Sequence, residues 1–189
     1  MLRGRACARG VSLIELLVAL LVTSVGLLTF AALQVASQSY VQETHRRVLA
    51  DLLAQDFMER MRANTLSAAD LSLYELTASF EAQAQIQPAA LPRVACAASD
   101  SACSIENMAR FDLRELRMRV RELLPPEGAL FAERPAADPD LRTLDLWIAW
   151  REPPMRAASW VARAANECPA GLNVAAEPSV RCLSWRVRR

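Results

Sequence analysis

The stretch GVSLIELLVALLVTSVGLLTFAALQVA, residues 10–36, decides the architecture of this protein. Glu15 is the one charged residue between Val11 and Ala36, a run of 26 residues. A helix needs about 20 predominantly apolar residues to cross a bilayer. The stretch therefore predicts a single membrane-spanning helix over residues 11–36.

The residues before this helix predict its orientation. Arg3, Arg5 and Arg9 precede it without an acidic residue. Because basic residues beside a spanning helix tend to stay in the cytoplasm, we expect residues 1–10 inside and the rest of the chain outside. A secretory signal peptide has a shorter apolar region, and a cleavage site around residues 35–37 is the weaker alternative.

The opening residues GVSLIELLVA, from Gly10 to Ala19, closely resemble the class III signal of type IV pilins and type II secretion pseudopilins. In that family a prepilin peptidase cuts after the glycine, methylates the new first residue and requires the glutamate. The resemblance implies a leader of residues 1–10, cleavage after Gly10, methylation of Val11 and a functional role for Glu15.

The chemistry of Glu15 agrees with this resemblance. A charged side chain at the centre of a spanning helix costs roughly 2 to 3 kcal/mol on insertion scales, so it normally has a partner. The amine of Val11, released by cleavage, lies about one helical turn from Glu15 and could pair with it in the same chain or in a neighbouring subunit. The alternative is an acid tolerated in the first turn because the helix dipole favours it.

The helical pattern continues beyond the apolar stretch. Apolar residues recur at three- and four-residue intervals among charges, at Val41, Val48, Leu49, Leu52, Leu53, Phe57 and Met61. No proline interrupts residues 11–64, which predicts one long helix whose amphipathic part, residues 37–64, ends near Asn64. A globular head packed on this stripe is favoured over a coiled-coil dimer seam.

Residues 65–189 predict a small α+β head. Residues 65–87 predict a loop and short helix with Leu71, Tyr74, Leu76 and Phe80 buried. A second amphipathic helix is expected from Ser104 to Leu124, with a core face of Met108, Leu113, Leu116, Val120 and Leu123. Three strand-like runs follow at residues 129–133, 143–151 and 180–187, which predict an antiparallel sheet laid against the long helix.

Further stretches resemble the PilV family of minor type IV pilins, namely LAQDFMERMRANT at residues 53–65, the segment at 103–128 and LDLWIAWRE at 144–152. This resemblance implies a type IV pilin-like fold and a low-abundance subunit of the inner membrane with a periplasmic head. Its expected partners are other minor pilins, the major pilin and the inner-membrane assembly platform. The subunit would prime pilus assembly and end at the tip of the extracellular filament.

Four cysteines remain once Cys7 leaves with the leader, and they are Cys96, Cys103, Cys168 and Cys182. An even set outside the cytoplasm indicates disulfides, for which three pairings exist. We favour the two local pairings, Cys96 with Cys103 and Cys168 with Cys182. A zinc site is less favoured because the spacings lack CxxC and the compartment is oxidising.

The predicted second helix carries a basic stripe formed by Arg110, Arg114, Arg117 and Arg121. The spacing places these four residues on one side of the helix, beside its apolar face. Acidic residues nearby favour a solvated or subunit-facing surface, and we treat the stripe as a candidate partner surface. DNA binding, as in a competence pilin, is the alternative.

Composition argues against several other functions. All 22 basic residues are arginine and 21 acidic residues balance them, so nucleic acid is not favoured as a partner. The sequence has no Gly-rich phosphate loop, no GxSxG, no HExxH and a single histidine, His45, without metal-ligand spacing. We predict no enzyme activity, cofactor or metal. The remaining alternative is a type II secretion pseudopilin, which shares the Gly10 to Glu15 signal but usually has a shorter head.

Overall fold

The computed structural model describes residues 12–64, 68–86, 96, 103–135, 142–152, 168–175, 177 and 179–188. The chain divides into two compact units, Met1–Gln42 and Glu43–Arg189. Helix α1, Leu13–Asn64, supplies residues to both. This single 52-residue helix confirms the long helix predicted from the absence of proline.

The second unit has the predicted α+β composition. A 3-10 helix, Ala68–Tyr74, follows α1. The remaining elements, in chain order, are α2 (Phe80–Gln85), α3 (Ile105–Leu123), β1 (Gly128–Glu133), β2 (Thr143–Arg151), a 3-10 turn (Ala170–Leu172) and β3 (Val180–Arg188). Ser104 caps α3, since its hydroxyl accepts a hydrogen bond from the N–H of Asn107 at 3.2 Å.

The three strands form an antiparallel sheet in the order β1-β2-β3. Leu130 of β1 lies opposite Ile148 of β2, which lies opposite Leu183 of β3. Because side chains alternate along each strand, the sheet has two differently packed faces. The predicted small antiparallel sheet and its packing on α1 are confirmed.

One face of the sheet packs against α1 and α3. Its buried cluster joins Phe57 and Met61 of α1 to Leu116 of α3 and to Ile148 and Trp150 of β2. Ala50 and Ala54 of α1 are also fully buried in this cluster, together with Leu53. Small side chains at these positions let the helix backbone approach its neighbours closely.

The opposite face of the sheet has its own smaller core. Phe131 and Ala149 belong to a buried cluster with Phe80 at the start of α2 and with Leu172 and Val180 near the C-terminal end of the chain. Phe131 also meets Trp147 edge to face, with ring centroids 5.8 Å apart. The head therefore buries both faces of its sheet, at least in part.

The predicted core faces of the two long helices were partly wrong. Val41, Val48 and Leu52 of α1 are exposed by 65%, 51% and 56%, and Leu123 of α3 by 41%. At 100° per residue, Val48 and Leu52 lie on the side of α1 opposite to Ala50 and Phe57. In α3 the predicted core residues Leu116 and Val120 are buried, and Ala109 and Asp112, which were not predicted, are buried with them.

A buried glutamine protects the outer edge of β1. The side-chain amide of Gln83 donates to the carbonyl oxygen of Leu130 at 2.7 Å, and its oxygen accepts from the N–H of Leu130 at 3.1 Å. Farther along the edge, Leu76 and Ala132 exchange backbone hydrogen bonds. One side chain thus supplies the pairing that a neighbouring strand would otherwise provide.

We expect Gln83→Leu to lower the free energy of unfolding by about 2 to 4 kcal/mol, because it leaves two buried backbone groups of Leu130 unpaired. The measurement is urea unfolding of the full-length chain in detergent micelles. The matched control is Gln85→Leu in the same helix, where the exposed amide donates to the exposed Glu81 and the change should stay within about 0.5 kcal/mol. Equal losses from both variants would contradict this role of Gln83.

Candidate functional site

The predicted processing site precedes α1 in the sequence. Gly10 and Val11 are outside the described residues. Glu15 lies in the first turn of α1, where its N–H donates to the carbonyl oxygen of Ser12 at 3.1 Å. Glu15 is exposed, and no other charged residue occurs in residues 12–42. A single carboxylate therefore stands at the N-terminal end of an otherwise uncharged helical surface.

The surface of α1 within residues 13–35 is exposed and, apart from Glu15, mostly apolar. Leucine, valine, isoleucine and phenylalanine side chains from Leu13 to Val35 all have more than half of their surface accessible. The hydroxyls of Thr23, Ser24 and Thr29 donate to backbone carbonyl oxygens three or four residues earlier, at 2.8 to 3.0 Å. These polar groups are satisfied inside the helix, which suits an apolar environment.

This segment makes α1 a candidate membrane span. The helix is long and apolar enough to cross a bilayer, with a mean hydropathy of 2.5 in its most apolar window and none of that window buried. Gly26 causes no break, and a Cβ built there would meet nothing within 4 Å. The same surface could pack on lipid tails or on other apolar helices, since neither environment offers hydrogen bonds.

A second apolar surface lies on the part of α1 that belongs to the head. Val48 and Leu52 are exposed on the side that faces away from the core. Two hydrogen bonds hold this helix in place: the indole N–H of Trp185 donates to Asp51 at 2.9 Å, and Arg119 of α3 donates to Asp56 at 3.0 Å. The apolar pair is thus presented by a helix that is anchored on both flanks.

The basic stripe is only partly a free surface. Arg110 bonds Glu106 at 2.6 Å, and Arg114 bonds Glu115 at 3.3 Å. Arg121 donates to the carbonyl oxygens of Gln83 and Ala84 at 2.5 and 2.6 Å, where it caps the end of α2. Burial, and then the nearby charge of Arg121, lower the pKa of Arg117. The four arginines share a side of α3, but their environments differ.

A buried polar network joins the end of α1 to α3. Asn64 donates to the Tyr74 hydroxyl at 2.8 Å and to the carbonyl oxygen of Ile105 at 3.0 Å. The Tyr74 hydroxyl donates to the Asp112 carboxylate at 3.0 Å. Burial raises the pKa of Asp112, although the Tyr74 hydrogen bond and the charge of Arg60 act against the rise. Sequence periodicity missed this network because it treats Asp112 as a surface residue.

Two disulfides close loops of the head. The structure joins Cys96 to Cys103 and Cys168 to Cys182, with Cα atoms 5.7 and 5.2 Å apart. Cys182 lies in β3 and is buried, so the second bond ties the terminal loop to the sheet. Both are the local pairings that the sequence favoured.

Arg151 at the end of β2 binds residues of the terminal loop, the segment between Cys168 and Cys182. The sequence did not indicate this contact. Its guanidinium bonds Glu127 at 2.8 Å, Glu177 at 2.6 Å and the Ser179 hydroxyl at 3.2 Å. It also lies over the ring of Phe80, 5.4 Å from the centroid. The hydrogen bond to Glu127 is the main cause that raises the pKa of Arg151. The cluster therefore joins the residue before β1, the end of β2 and the terminal loop.

The described residues contain no group of three or more histidine, cysteine, aspartate or glutamate side chains that could hold a metal ion. His45 is exposed on α1. The candidate functional features of the described chain are therefore surfaces and anchoring contacts.

Two family models match the chain. One, described as type IV pilin Tt1218, matches residues 32–114. The other, described as the prokaryotic N-terminal methylation motif, matches residues 5–31 and so includes Gly10, Val11 and Glu15. No curated protein and no solved structure matches the chain. The two matched ranges together run from residue 5 to residue 114, in the middle of α3.

We expect Asp112→Asn to stabilise the head at pH 7, because the amide oxygen can still accept from Tyr74 while the buried charge is removed. The pKa of Asp112 is raised in the folded state, so the stability gained by its protonation is present at low pH and lost as pH rises through that pKa. The difference in stability between Asp112→Asn and the parent should shrink as pH falls toward about 4, near the pKa of an aspartate in the unfolded chain. Thermal unfolding of both full-length chains in detergent across this range tests it.

Tyr74→Phe serves as the comparison for this pH dependence. It removes the hydroxyl that donates to Asp112, so the pKa of Asp112 should rise further and stability should fall more steeply with increasing pH. If Asp112→Asn is less stable than the parent at every pH, the network depends on the ionised carboxylate and the expectation is wrong.

Proposed function

We propose, from the premise that this chain is a type IV pilin-like protein, that it serves as a minor pilin which takes part in priming pilus assembly. The observation that carries the proposal is the solitary Glu15 near the start of an exposed helical stretch, residues 12–42, that is otherwise uncharged. This arrangement is suited to a subunit that is held in a bilayer and then transferred into a bundle of helices. PilV-type identity and a position at the filament tip are part of the proposal.

The proposed sequence of events begins with processing. Prepilin peptidase removes residues 1–10 on the cytoplasmic side of the inner membrane and methylates Val11, while the head lies in the periplasm. Residues 11–36 hold the subunit in the bilayer and residues 37–64 continue the helix toward the head, residues 65–189. The new amine of Val11 then provides the positive charge that Glu15 lacks within residues 12–42.

Assembly in this proposal exchanges lipid for protein around the helix. Lipid tails and neighbouring apolar helices are similar environments for the side chains of residues 13–35. Helix packing and charge neutralisation therefore decide whether the subunit stays in the membrane or enters the filament. An amine from one subunit that meets Glu15 of the next would favour the filament over the isolated membrane helix. The partners are other minor pilins, the major pilin and the inner-membrane assembly platform.

A type II secretion pseudopilin is the alternative, because it carries the same processing signal. The disulfide-closed terminal loop, held by Arg151 against Glu127 and Glu177, favours a pilus subunit with an elaborated head. A DNA-binding competence pilin receives less support, because Arg110 and Arg114 are paired with acidic residues and Arg121 caps α2.

We expect the chain in sheared surface filaments to have the intact mass of a protein that begins at N-methylated Val11 and has lost four hydrogens through two disulfides. Mass spectrometry of the sheared and membrane fractions measures this. Gly10→Val should keep residues 1–10 attached and confine the chain to the membrane. A processed chain found wholly in the membrane would support the pseudopilin, and a parent chain that keeps its leader would contradict the proposed processing.

We expect the double variant Val48→Glu, Leu52→Glu to reduce the amount of chain in sheared filaments about ten-fold or more, because two exposed apolar residues would become charged at a buried subunit contact. Immunoblotting of filament and membrane fractions measures the ratio. Gln55→Glu together with Ala63→Glu is the matched control, since both residues are exposed on the same helix but neither is a large apolar side chain. Equal incorporation of the two double variants would mean that Val48 and Leu52 make no such contact.

A further inference from the structure

Arg117 differs from its neighbours on α3 in having no partner among the described residues. Arg110, Arg114 and Arg119 each form an ion pair, with Glu106, Glu115 and Asp56 respectively. Within the part of the chain that the structure describes, Arg117 forms no hydrogen bond and no ion pair. Its side chain is nevertheless half-buried, so the guanidinium has lost part of its hydration without compensation.

The surroundings of Arg117 add positive charge to this position. Arg117 and Arg121 line one shallow cleft together with Gln83 and the first residues of β1, Gly128, Ala129 and Leu130. Arg121 is held there by two carbonyl oxygens, which are neutral acceptors, and it has no acidic partner within the described ranges. Glu122 lies five residues along α3 from Arg117, which places it about 140° around the helix. The cleft therefore contains two guanidinium groups and no described carboxylate.

This electrostatic situation favours binding of an anion. Burial disfavours the charged form of Arg117, and the repulsion from Arg121 adds to that effect. A carboxylate placed at the mouth of the cleft would offset both the desolvation of Arg117 and its repulsion from Arg121. A guanidinium can hold a carboxylate through two parallel N–H···O hydrogen bonds, and partly desolvated pairs of this type are among the stronger contacts at protein interfaces.

We propose that Arg117, supported by Arg121, is the docking point for an acidic side chain of a neighbouring pilin subunit. The inference rests on the proposed function for the existence of such a neighbour, but the choice of residue comes from the unpaired, half-buried guanidinium. Arg121 is a positioning residue in this site: its contacts with Gln83 and Ala84 fix a second positive charge beside the first.

The same contacts favour a protein carboxylate over a nucleic-acid backbone. A protein that follows DNA uses several accessible cations, because the phosphates form a regular row of charges. Here Arg110 and Arg114 are paired with glutamates, which interrupts the row on both preceding turns. A single unpaired position next to a fixed second charge is better suited to one aspartate or glutamate that contacts it from outside the cleft.

The test is co-purification of the tagged full-length chain with the co-expressed major and minor pilins of its host, solubilised in mild detergent and identified by mass. We expect Arg117→Gln to reduce the recovered pilin partner about ten-fold or more. Arg117→Lys should recover part of the binding. It restores the positive charge but not the planar guanidinium, which can form two parallel hydrogen bonds with a carboxylate. Arg110→Gln is the matched control and should bind as the parent does, since Arg110 is exposed and paired within α3.

Charge reversal identifies the partner residue. Arg117→Glu should abolish the interaction, and substitution of the contacting aspartate or glutamate of the partner by arginine should restore it. If Arg117→Gln retains the partner as the parent does, the inference is overturned while the proposed function stands. If the parent chain itself recovers no pilin, both are overturned.

Two further readouts separate other roles of Arg117. A fall in the unfolding temperature of more than about 5 °C in Arg117→Gln, with no loss of the partner, would show that Arg117 pairs within its own chain and would overturn the docking role. Salt-sensitive binding of the parent to single-stranded DNA or to phosphatidylglycerol vesicles that is lost in Arg117→Gln, with pilin binding unchanged, would assign the site to phosphate and also overturn it.

Discussion

The charge of Glu15 in an otherwise uncharged helical stretch, residues 12–42, is the constraint on which the proposed role of this protein depends. Over residues 12–42 no basic side chain can neutralise it, so a counter-charge must come from outside this stretch, and in the proposed role it is the amine of a processed Val11. The hydroxyls of Thr23, Ser24 and Thr29 donate hydrogen bonds within the helix, so they need no partner from another molecule. One carboxylate thus makes this stretch differ from a uniformly uncharged apolar helix.

The head is organised around the same helix. Ala50 and Ala54 are small enough for close packing, Phe57 and Met61 fill the core, and Asp51 and Asp56 receive hydrogen bonds from β3 and α3. This leaves Val48 and Leu52 exposed on a helix that cannot turn them inward without losing those contacts. Their exposure is therefore a consequence of how the helix is anchored, which makes them candidates for subunit contact.

Much of the fold could be predicted from local patterns. The absence of proline predicted α1, the alternation of Leu144, Leu146 and Ile148 predicted β2, and Ser104 marked the start of α3. Local patterns failed where two faces of a helix are both partly apolar: the spacing of Val48, Leu52 and Leu123 cannot tell which apolar residues meet the sheet. They also missed Asp112 and Gln83, whose polar groups are buried because distant residues satisfy them.

The sequence by itself determined the membrane-length helix, its one acidic residue, the processing signal and the order of helices and strands, because each depends on neighbouring residues and their periodicity. Only the tertiary structure decided which arginines of the basic stripe are paired. Four arginines at helical spacing look equivalent in a sequence, whereas contacts with Glu106, Glu115 and the end of α2 occupy three of them and leave Arg117 half-buried beside a second positive charge. The physical reason is that desolvation and pairing depend on residues brought together by folding, and the spacing along one helix does not contain that information.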